Sequence, residues 1–192
     1  MRSPAMVPRI LDLVMQVHRD VALHLRGPVL TFWVFHVLRD YARRLVEGGS
    51  TYENRIKEFL KITALTEARS GPYEIVFGHN DLLAANFLDD GARLWLIDWE
   101  FSGMSDPAWD LAYAVLEHEM SADEEQVFLQ AYAATGAAVP EAGRLGVMKA
   151  KCDAVSALWA LEQVVAGRDE DVFLPFARQR RGRALRQLAR LS

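Results

Sequence analysis

Three polar residues in the middle of the sequence, His79, Asp81 and Asn86, have the types and the spacing that phosphoryl transfer requires. This reaction needs a carboxylate that orients an attacking hydroxyl and accepts its proton, and it needs oxygen ligands for the Mg²⁺ ion on the phosphates. Asp81 suits the first task, and the neutral amide oxygen of Asn86 suits the second. His79 is predicted to be a buried hydrogen-bonding residue that orients the loop beside Asp81.

A second carboxylate, Asp98, follows a predicted β-hairpin. The β-prone runs at residues 87–88 and 94–97 are joined by Asp89-Asp90-Gly91, which is typical of a tight turn. Because a hairpin folds back on itself, we expect Asn86 at its entry and Asp98 at its exit to lie close together. Mg²⁺ binds one or two carboxylates together with phosphate oxygens and water, so this pair of ligands is sufficient.

The segment from residue 79 to residue 86 fits H-x-D-x-x-x-x-N, the pattern of kinase catalytic loops. Taken singly, Asp81 and Asn86 could be loop-capping residues, and Asp98 could be a turn residue after a strand. The motif combined with an acid after a hairpin of the right length favours phosphoryl transfer over these structural roles.

Helices are predicted on both sides of this segment. Apolar periodicity predicts helices at residues 8–25, 30–46 and 52–69, and a helical period from residue 107 to the C-terminus with breaks near Gly136, Pro140 and Gly167. The first helix is expected to bury a face that includes Val17, Val21 and His24. A short β-prone run occupies residues 74–77.

The predicted fold class is therefore α+β and mostly helical, with a small β-hairpin insert that carries the catalytic loop. We divide the chain into a helical segment at 1–72, the catalytic loop and metal-binding hairpin at 73–104, and a helical substrate-side segment at 105–192.

Composition excludes several other classes of protein. The net charge of −4 argues against a nucleic-acid or anionic-membrane partner, and a single cysteine excludes an intramolecular disulfide. No apolar run approaches the ~20 residues that a membrane span needs, so we expect a cytoplasmic protein. The arginine-rich run at residues 178–183 is interpreted as a solvated helix face. Histidine clustering and a G-x-S-x-G motif are both missing, which disfavours a metallohydrolase and a serine hydrolase.

The longer segment HNDLLAANFLDDGARLWLIDWEFSGMSDPAWDLA resembles the aminoglycoside phosphotransferase and choline/ethanolamine kinase superfamily, above all its bacterial choline-kinase-like branch. The specific match covers residues 76–112. The resemblance implies a protein-kinase-like C-terminal lobe with ATP and Mg²⁺ as cofactors. It also implies that Asp81 is the catalytic base, that Asn86 and Asp98 bind the nucleotide and metal, and that Glu100 is a second acid near the metal.

The same resemblance implies residues that support the loop and recognise a substrate. Asp110 would brace the catalytic loop through backbone hydrogen bonds, although a helix N-cap or a surface acid is an equally good interpretation. Glu117, Trp159 and Phe173 would form the acidic and aromatic surroundings of a cationic alcohol, because aromatic faces and carboxylates attract cations. Phe173 is better explained as a core aromatic. Ser156 stands where eukaryotic choline kinases carry a second tryptophan of the aromatic cage around the cation. The acceptor therefore stays open between a choline/ethanolamine-like and an aminoglycoside-like alcohol.

A kinase also needs a Gly-rich loop and a strand lysine to hold the triphosphate. None of the twelve glycines forms a G-x-G, and Lys57, Lys61, Lys149 and Lys151 all lie in helical patterns. We therefore expect the N-terminal lobe to be absent from this chain.

Three explanations remain open for that absence. The chain could be a fragment of a full kinase, a short protein completed by a second copy or by a separate N-lobe partner, or a non-catalytic binding or regulatory domain derived from the kinase fold. The first two make it part of a small-molecule kinase. The intact acids favour the enzyme, and the missing lobe favours the non-catalytic domain.

Overall fold

The computed structural model describes residues 6–68, 70 and 74–190 of the chain. Within these residues the chain is mostly helical with four short strands, which confirms the predicted α+β class. The helices are α1 (Met6–Gln16), α2 (Ala22–His24), α3 (Val34–Glu47), α4 (Glu53–Ala68), α5 (Pro107–Glu117), α6 (Ala122–Ala134), α7 (Ala142–Val165) and α8 (Glu170–Ala189). The strands are β1 (Val76–Gly78), β2 (Phe87–Asp89), β3 (Leu94–Leu96) and β4 (Gly103–Ser105).

The described residues divide into two compact units. The first unit takes residues up to 32 and from 74 to 145, and the second takes residues 33–68, 70 and 146–190. The motif segment therefore belongs entirely to the first unit. Within the described ranges, no helix is long and apolar enough to cross a membrane.

Two antiparallel strand pairs frame the motif segment. The predicted hairpin is formed by β2 and β3, and β1 pairs with β4. Strand β4, which we did not predict, contains no β-branched or aromatic residue, so its sequence carries no strand signal. It is held by its neighbours instead, because Met104 also exchanges backbone hydrogen bonds of 2.8 Å with Leu30 and Phe32.

The first helix contains an irregular turn that the sequence pattern did not predict. After α1 the chain forms a π-helical segment, Val17–Val21, before α2. The predicted face is buried as far as Val17, but beyond it His18 is buried and His24 is exposed, so the prediction for His24 is wrong. A π turn closes its hydrogen bond over five residues and so holds more residues than an α turn, which rotates the following residues to a new face.

Helix α5 is the buried platform beneath the motif segment. Every residue from Pro107 to Val115 is buried, as expected for a helix that is packed on all sides. Asp106 caps its first turn by accepting a hydrogen bond of 2.9 Å from the Ala108 backbone. The Nε of Arg144 donates to the same carboxylate at 2.8 Å, which anchors this end of α5.

In the second unit, a buried acid joins helices α7 and α8. Asp153 is completely buried and pairs with Arg180 at 3.2 Å and with Arg183 at 2.5 Å. These two arginines are only partly exposed and are ion-paired, so the predicted solvated arginine face does not describe them. The sequence run looked solvated because the compensating charge lies on a different helix.

Lys151 of α7 is also completely buried in the second unit. Its Nζ lies 3.5 Å from the hydroxyl of Thr63 and 5.4 Å from the centroid of the Phe59 ring. Burial lowers the pKa of Lys151 from 10.5 to about 8, against the opposing charge of Glu67. The folded chain therefore disfavours the charged form of this lysine.

We expect Lys151→Met to raise the free energy of unfolding at pH 7 by up to about 3 kcal/mol, since one pKa unit corresponds to about 1.4 kcal/mol. The folded pKa lies below the unfolded value, so the cost of the charge is complete below pH 8 and disappears as the pH rises to 10.5. Urea denaturation across this pH range should show that the difference in the free energy of unfolding between Lys151→Met and the parent chain decreases as the pH rises. The exposed control Lys61→Met should show no such trend, and a pH-independent gain for Lys151→Met would contradict the expectation.

Candidate active site

The catalytic-loop motif begins where strand β1 ends. Gly78 is the last residue of β1, His79 and Asn80 follow it as buried residues, and Asp81 is partly exposed. Asn80 has a left-handed backbone with a φ of 67°, a conformation that asparagine tolerates better than most residues. The turn at Asn80 directs the chain from the strand into the loop that carries Asp81.

Asp110 holds this turn from helix α5. Its two carboxylate oxygens accept hydrogen bonds of 2.8 Å from the backbone N–H groups of His79 and Asn80. The carboxylate is buried, and it also accepts a hydrogen bond of 3.1 Å from Nε2 of His18. Asp110 thus has the contacts that the bracing role requires, and the N-cap of α5 is Asp106 instead.

The π-helical segment brings His18 into this buried network. Nδ1 of His18 shares a hydrogen bond of 3.0 Å with the hydroxyl of Tyr132 on α6. Burial, together with the negative charge of Asp110, raises the pKa of Tyr132 to about 12, so its hydroxyl keeps its proton. Asp110 is therefore held from two sides, by the loop backbone and by hydrogen bonds that run through His18 of the π-helical segment to Tyr132 on α6.

His79 connects the catalytic loop to the hairpin. Its Nδ1 accepts a hydrogen bond of 3.3 Å from the Asp81 backbone, and its Nε2 donates to the Ile97 carbonyl at 2.9 Å. The edge of the ring meets Trp99, with the ring centroids 4.7 Å apart. Both ring nitrogens of this buried side chain are occupied, which suits an orienting role and leaves neither nitrogen for proton exchange with a substrate.

The carboxylate of Asp81 is held in one orientation by two side chains. The Tyr113 hydroxyl donates to Oδ1 at 3.1 Å, and the Asn86 amide donates to Oδ2 at 3.0 Å. Burial raises the pKa of Asp81, the two hydrogen bonds oppose that rise, and the negative charge of Asp98 adds to it. A fixed, partly exposed carboxylate with a raised pKa is well suited to accept a proton.

The hairpin places Asn86 and Asp98 beside each other. The Ile97 backbone N–H donates to the Asn86 carbonyl at 3.0 Å, so Asp98 follows directly on the residue that pairs with Asn86. Asp98 has a left-handed φ of 65° and is exposed, as is Glu100. Among the described residues, neither carboxylate has a hydrogen-bond or ion-pair partner.

This donor set fits Mg²⁺. Both hydrogen bonds of the Asn86 amide nitrogen go to Asp81, one to its backbone carbonyl at 2.9 Å and one to its side chain, so Oδ1 of Asn86 is left to accept a cation. An amide oxygen and an unpaired carboxylate are the hard ligands that Mg²⁺ prefers. Within the described ranges no group of three His, Cys, Asp or Glu side chains converges on a metal position.

The predicted substrate-side residues lie in different parts of the chain. Glu117 is the last residue of α5 in the first unit. In the second unit, Trp159 of α7 and Phe173 of α8 meet edge to face, with their ring centroids 5.6 Å apart. Trp159 is 41% exposed, so much of its ring is open to solvent. The structure thus brings the two aromatic residues together and leaves Glu117 in the other unit.

Comparison with known proteins identifies the family of the chain. The sequence profile described as Choline/ethanolamine kinase matches residues 33–141. This chain belongs to the choline/ethanolamine kinase family. The resemblance predicted from the motif segment is thereby confirmed.

Three further similarities come from individual proteins. Protein LicA of Haemophilus influenzae is 41% identical over 104 residues, which are 53% of this chain and 39% of that protein. The crystal structure of choline kinase LicA from Streptococcus pneumoniae matches with a TM-score of 0.77 and 27% identity, over 97% of this chain and 64% of that one. A LicA structure in complex with AMP matches with a TM-score of 0.75 and 26% identity, over 98% of this chain and 63% of that one. The chain thus spans less than two thirds of the length of these relatives.

Sequence reasoning missed three residues of the site in this choline/ethanolamine kinase chain: His18, Tyr113 and Tyr132. Tyr113 lies one helical turn after Asp110, and this spacing places the two side chains on the same face of α5. That spacing could have identified Tyr113. No local signal marks His18 or Tyr132, because both reach Asp110 only through the packing of distant helices.

Gly78 leaves the space in which Asp110 reaches the loop. A Cβ at this position would lie 2.8 Å from Oδ1 of Asn80, 3.1 Å from Oδ2 of Asp110 and closer still to the Ser105 hydroxyl. We expect Gly78→Ala to lower the free energy of unfolding by about 1–3 kcal/mol, the usual cost of overpacking a buried site. Urea denaturation measures the change. Gly143→Ala, at a helical glycine with open space around it, is the matched control. Equal effects of the two substitutions would contradict the expectation.

Proposed function

We propose that this chain carries the catalytic loop and metal-binding residues of an ATP- and Mg²⁺-dependent kinase that phosphorylates a small alcohol. The observation that carries the proposal is the Asp81 carboxylate, fixed by Tyr113 and Asn86, with Asn86 and Asp98 side by side at the ends of the hairpin. The similarity to a protein described as choline kinase LicA supports the reaction, and the similarity to a LicA structure in complex with AMP supports the nucleotide.

In this reaction the acceptor hydroxyl gives its proton to Asp81 while its oxygen bonds to the γ-phosphorus of ATP, and ADP leaves with the electrons of the broken P–O bond. Tyr113 and Asn86 keep the carboxylate pointing one way, which lowers the cost of reaching the reactive geometry. Asn86 and Asp98 would hold Mg²⁺, which when bound supplies positive charge to the phosphate oxygens. Glu100 would add a second negative charge near the metal.

For the acceptor we propose a choline- or ethanolamine-like alcohol in preference to an aminoglycoside. Trp159 and Phe173 supply aromatic surface in the second unit, and the exposed part of the Trp159 ring can face a cation. The test is steady-state phosphorylation of choline, ethanolamine and an aminoglycoside. Trp159→Ala should raise the KM for choline and leave kcat nearly unchanged.

Nucleotide binding by the chain provides a direct test of the metal ligands. We expect calorimetric titration with ATP and Mg²⁺ to show micromolar binding, and Asp98→Ala to weaken it by roughly 10- to 100-fold, the usual cost of losing a metal-site partner. Asp12→Ala, at an exposed acid of α1, is the matched control and should bind as the parent chain does.

The titration has two outcomes that would contradict this expectation. Binding unchanged in Asp98→Ala would remove Asp98 from the metal site. Titration without heat in any of the three proteins would show that this chain alone does not hold the nucleotide, as expected either of a chain that needs a partner lobe or of the alternative, a non-catalytic domain derived from the kinase fold.

A further inference from the structure

A cavity of about 260 Å³ lies in the second unit, between helices α4, α7 and α8, and shares no residue with the candidate active site. Alanines from α7 and α8 form much of its wall. Their side chains are too small to fill the space between the helices. Larger apolar residues of α4, such as Ile56 and Phe59, face them. The buried alanines are Ala154, Ala157, Ala177 and Ala184.

Two arginines of α8, Arg178 and Arg181, also line this cavity. They are one helical turn apart, and their side chains are exposed. Neither has an ion-pair partner among the described residues, whereas Arg180 and Arg183 of the same helix are bound to Asp153. None of the described residues that line the cavity is acidic. The cavity therefore combines an apolar interior with two unpaired positive charges.

We propose that this cavity binds a single-chain amphiphile with an anionic head group. Its apolar walls favour a hydrocarbon chain, and two neighbouring guanidinium groups match the geometry of a carboxylate or a phosphate. A volume of about 260 Å³ holds roughly nine groups of the size of a water molecule, which corresponds to a chain of about nine carbons. The charge distinguishes this ligand from a neutral lipid and from a cationic substrate such as choline.

Chain length and head-group charge give the first test. Calorimetric titration of the 192-residue chain with hexanoate, octanoate and decanoate should show affinity rising by roughly fourfold for each added methylene, up to the length that the cavity holds. Decanoate and decyl phosphate represent the two sources of an anionic head group, and either one binding supports the proposal. Decyltrimethylammonium should bind at least roughly 10-fold more weakly than the anions. Equal affinity for the cation would overturn the proposal.

Variants separate the two parts of the site. The double substitution Arg178→Gln with Arg181→Gln should weaken decanoate binding by roughly 10-fold or more and leave decanol binding unchanged. Arg190→Gln, at an exposed arginine near the end of α8, is the matched control. Ala157→Leu should fill the cavity and abolish binding of both ligands, with circular dichroism confirming that the variant is folded.

Two results would overturn the proposal in these variants. Decanoate binding that survives Ala157→Leu in a folded protein would place the ligand elsewhere. A concentration-dependent dimer in light scattering, dissociated by the double arginine substitution, would show that a second copy of the chain covers the cavity instead.

Discussion

Asp81→Asn is expected to lower the rate of phosphoryl transfer to the acceptor by roughly 10²- to 10⁴-fold, the range over which general bases contribute. Asparagine keeps the size of the side chain but cannot take the acceptor proton. The measurement is kcat with choline or ethanolamine at saturating ATP and Mg²⁺. The unfolding midpoint should stay close to that of the parent chain, which separates lost chemistry from lost structure.

Tyr113→Phe tests the same role of Asp81 by changing the pKa of its carboxylate without removing it. The Tyr113 hydroxyl donates to Asp81 and lowers its pKa, so its removal should raise that pKa further. Because the base must be ionised, activity rises with pH through the pKa of Asp81, and the acidic limb of the profile should move to higher pH in Tyr113→Phe. A structural role alone would change the rate without moving this limb. Unchanged kcat in Asp81→Asn would contradict the assignment of Asp81 as the base.

The predictions that the structure reproduces rest on local chemistry. The Asp89-Asp90-Gly91 turn predicted the hairpin, and the hairpin alone was enough to place Asn86 next to Asp98. Gly91 has a φ of 89°, and the Asp90 carboxylate accepts hydrogen bonds from the Ala92 and Arg93 backbone. The turn is therefore stabilised by its own residues. Such features are visible in sequence because every interacting group lies within a few residues.

The features that were missed depend on packing between distant segments. Strand β4 has no strand propensity and exists because two neighbouring segments bind its backbone. The burial of His18 depends on a π turn that shifts the helix face, and no spacing rule for α-helices gives that shift. Asp153 and its two arginines lie on different helices, so their charges could not be paired from the sequence. In each case the decisive partner is remote in the chain.

The hydrogen bonds that Asp110 accepts lead to the largest expected effect on stability. Its carboxylate serves two buried backbone N–H groups and a buried histidine, and removing it would leave those donors without an acceptor. A buried unsatisfied donor costs about 1–3 kcal/mol. We therefore expect Asp110→Ala to lower the free energy of unfolding by about 3–5 kcal/mol, measured by urea denaturation, with the exposed Asp20→Ala as a control within about 0.5 kcal/mol of the parent chain.

The set of backbone amides that exchange faster after substitution of Asp110 tests whether this residue acts on the loop itself. Asp110→Asn keeps one acceptor oxygen but turns a donor toward the second backbone N–H, so it should also destabilise the chain. Hydrogen exchange of the His79 and Asn80 amides should accelerate in both variants more than exchange in α6, because only the loop loses its acceptors directly. Uniform acceleration throughout the first unit would show that Asp110 supports the core and not the catalytic loop. Selective acceleration would mean that the buried carboxylate of Asp110 fixes the position of the loop that carries Asp81.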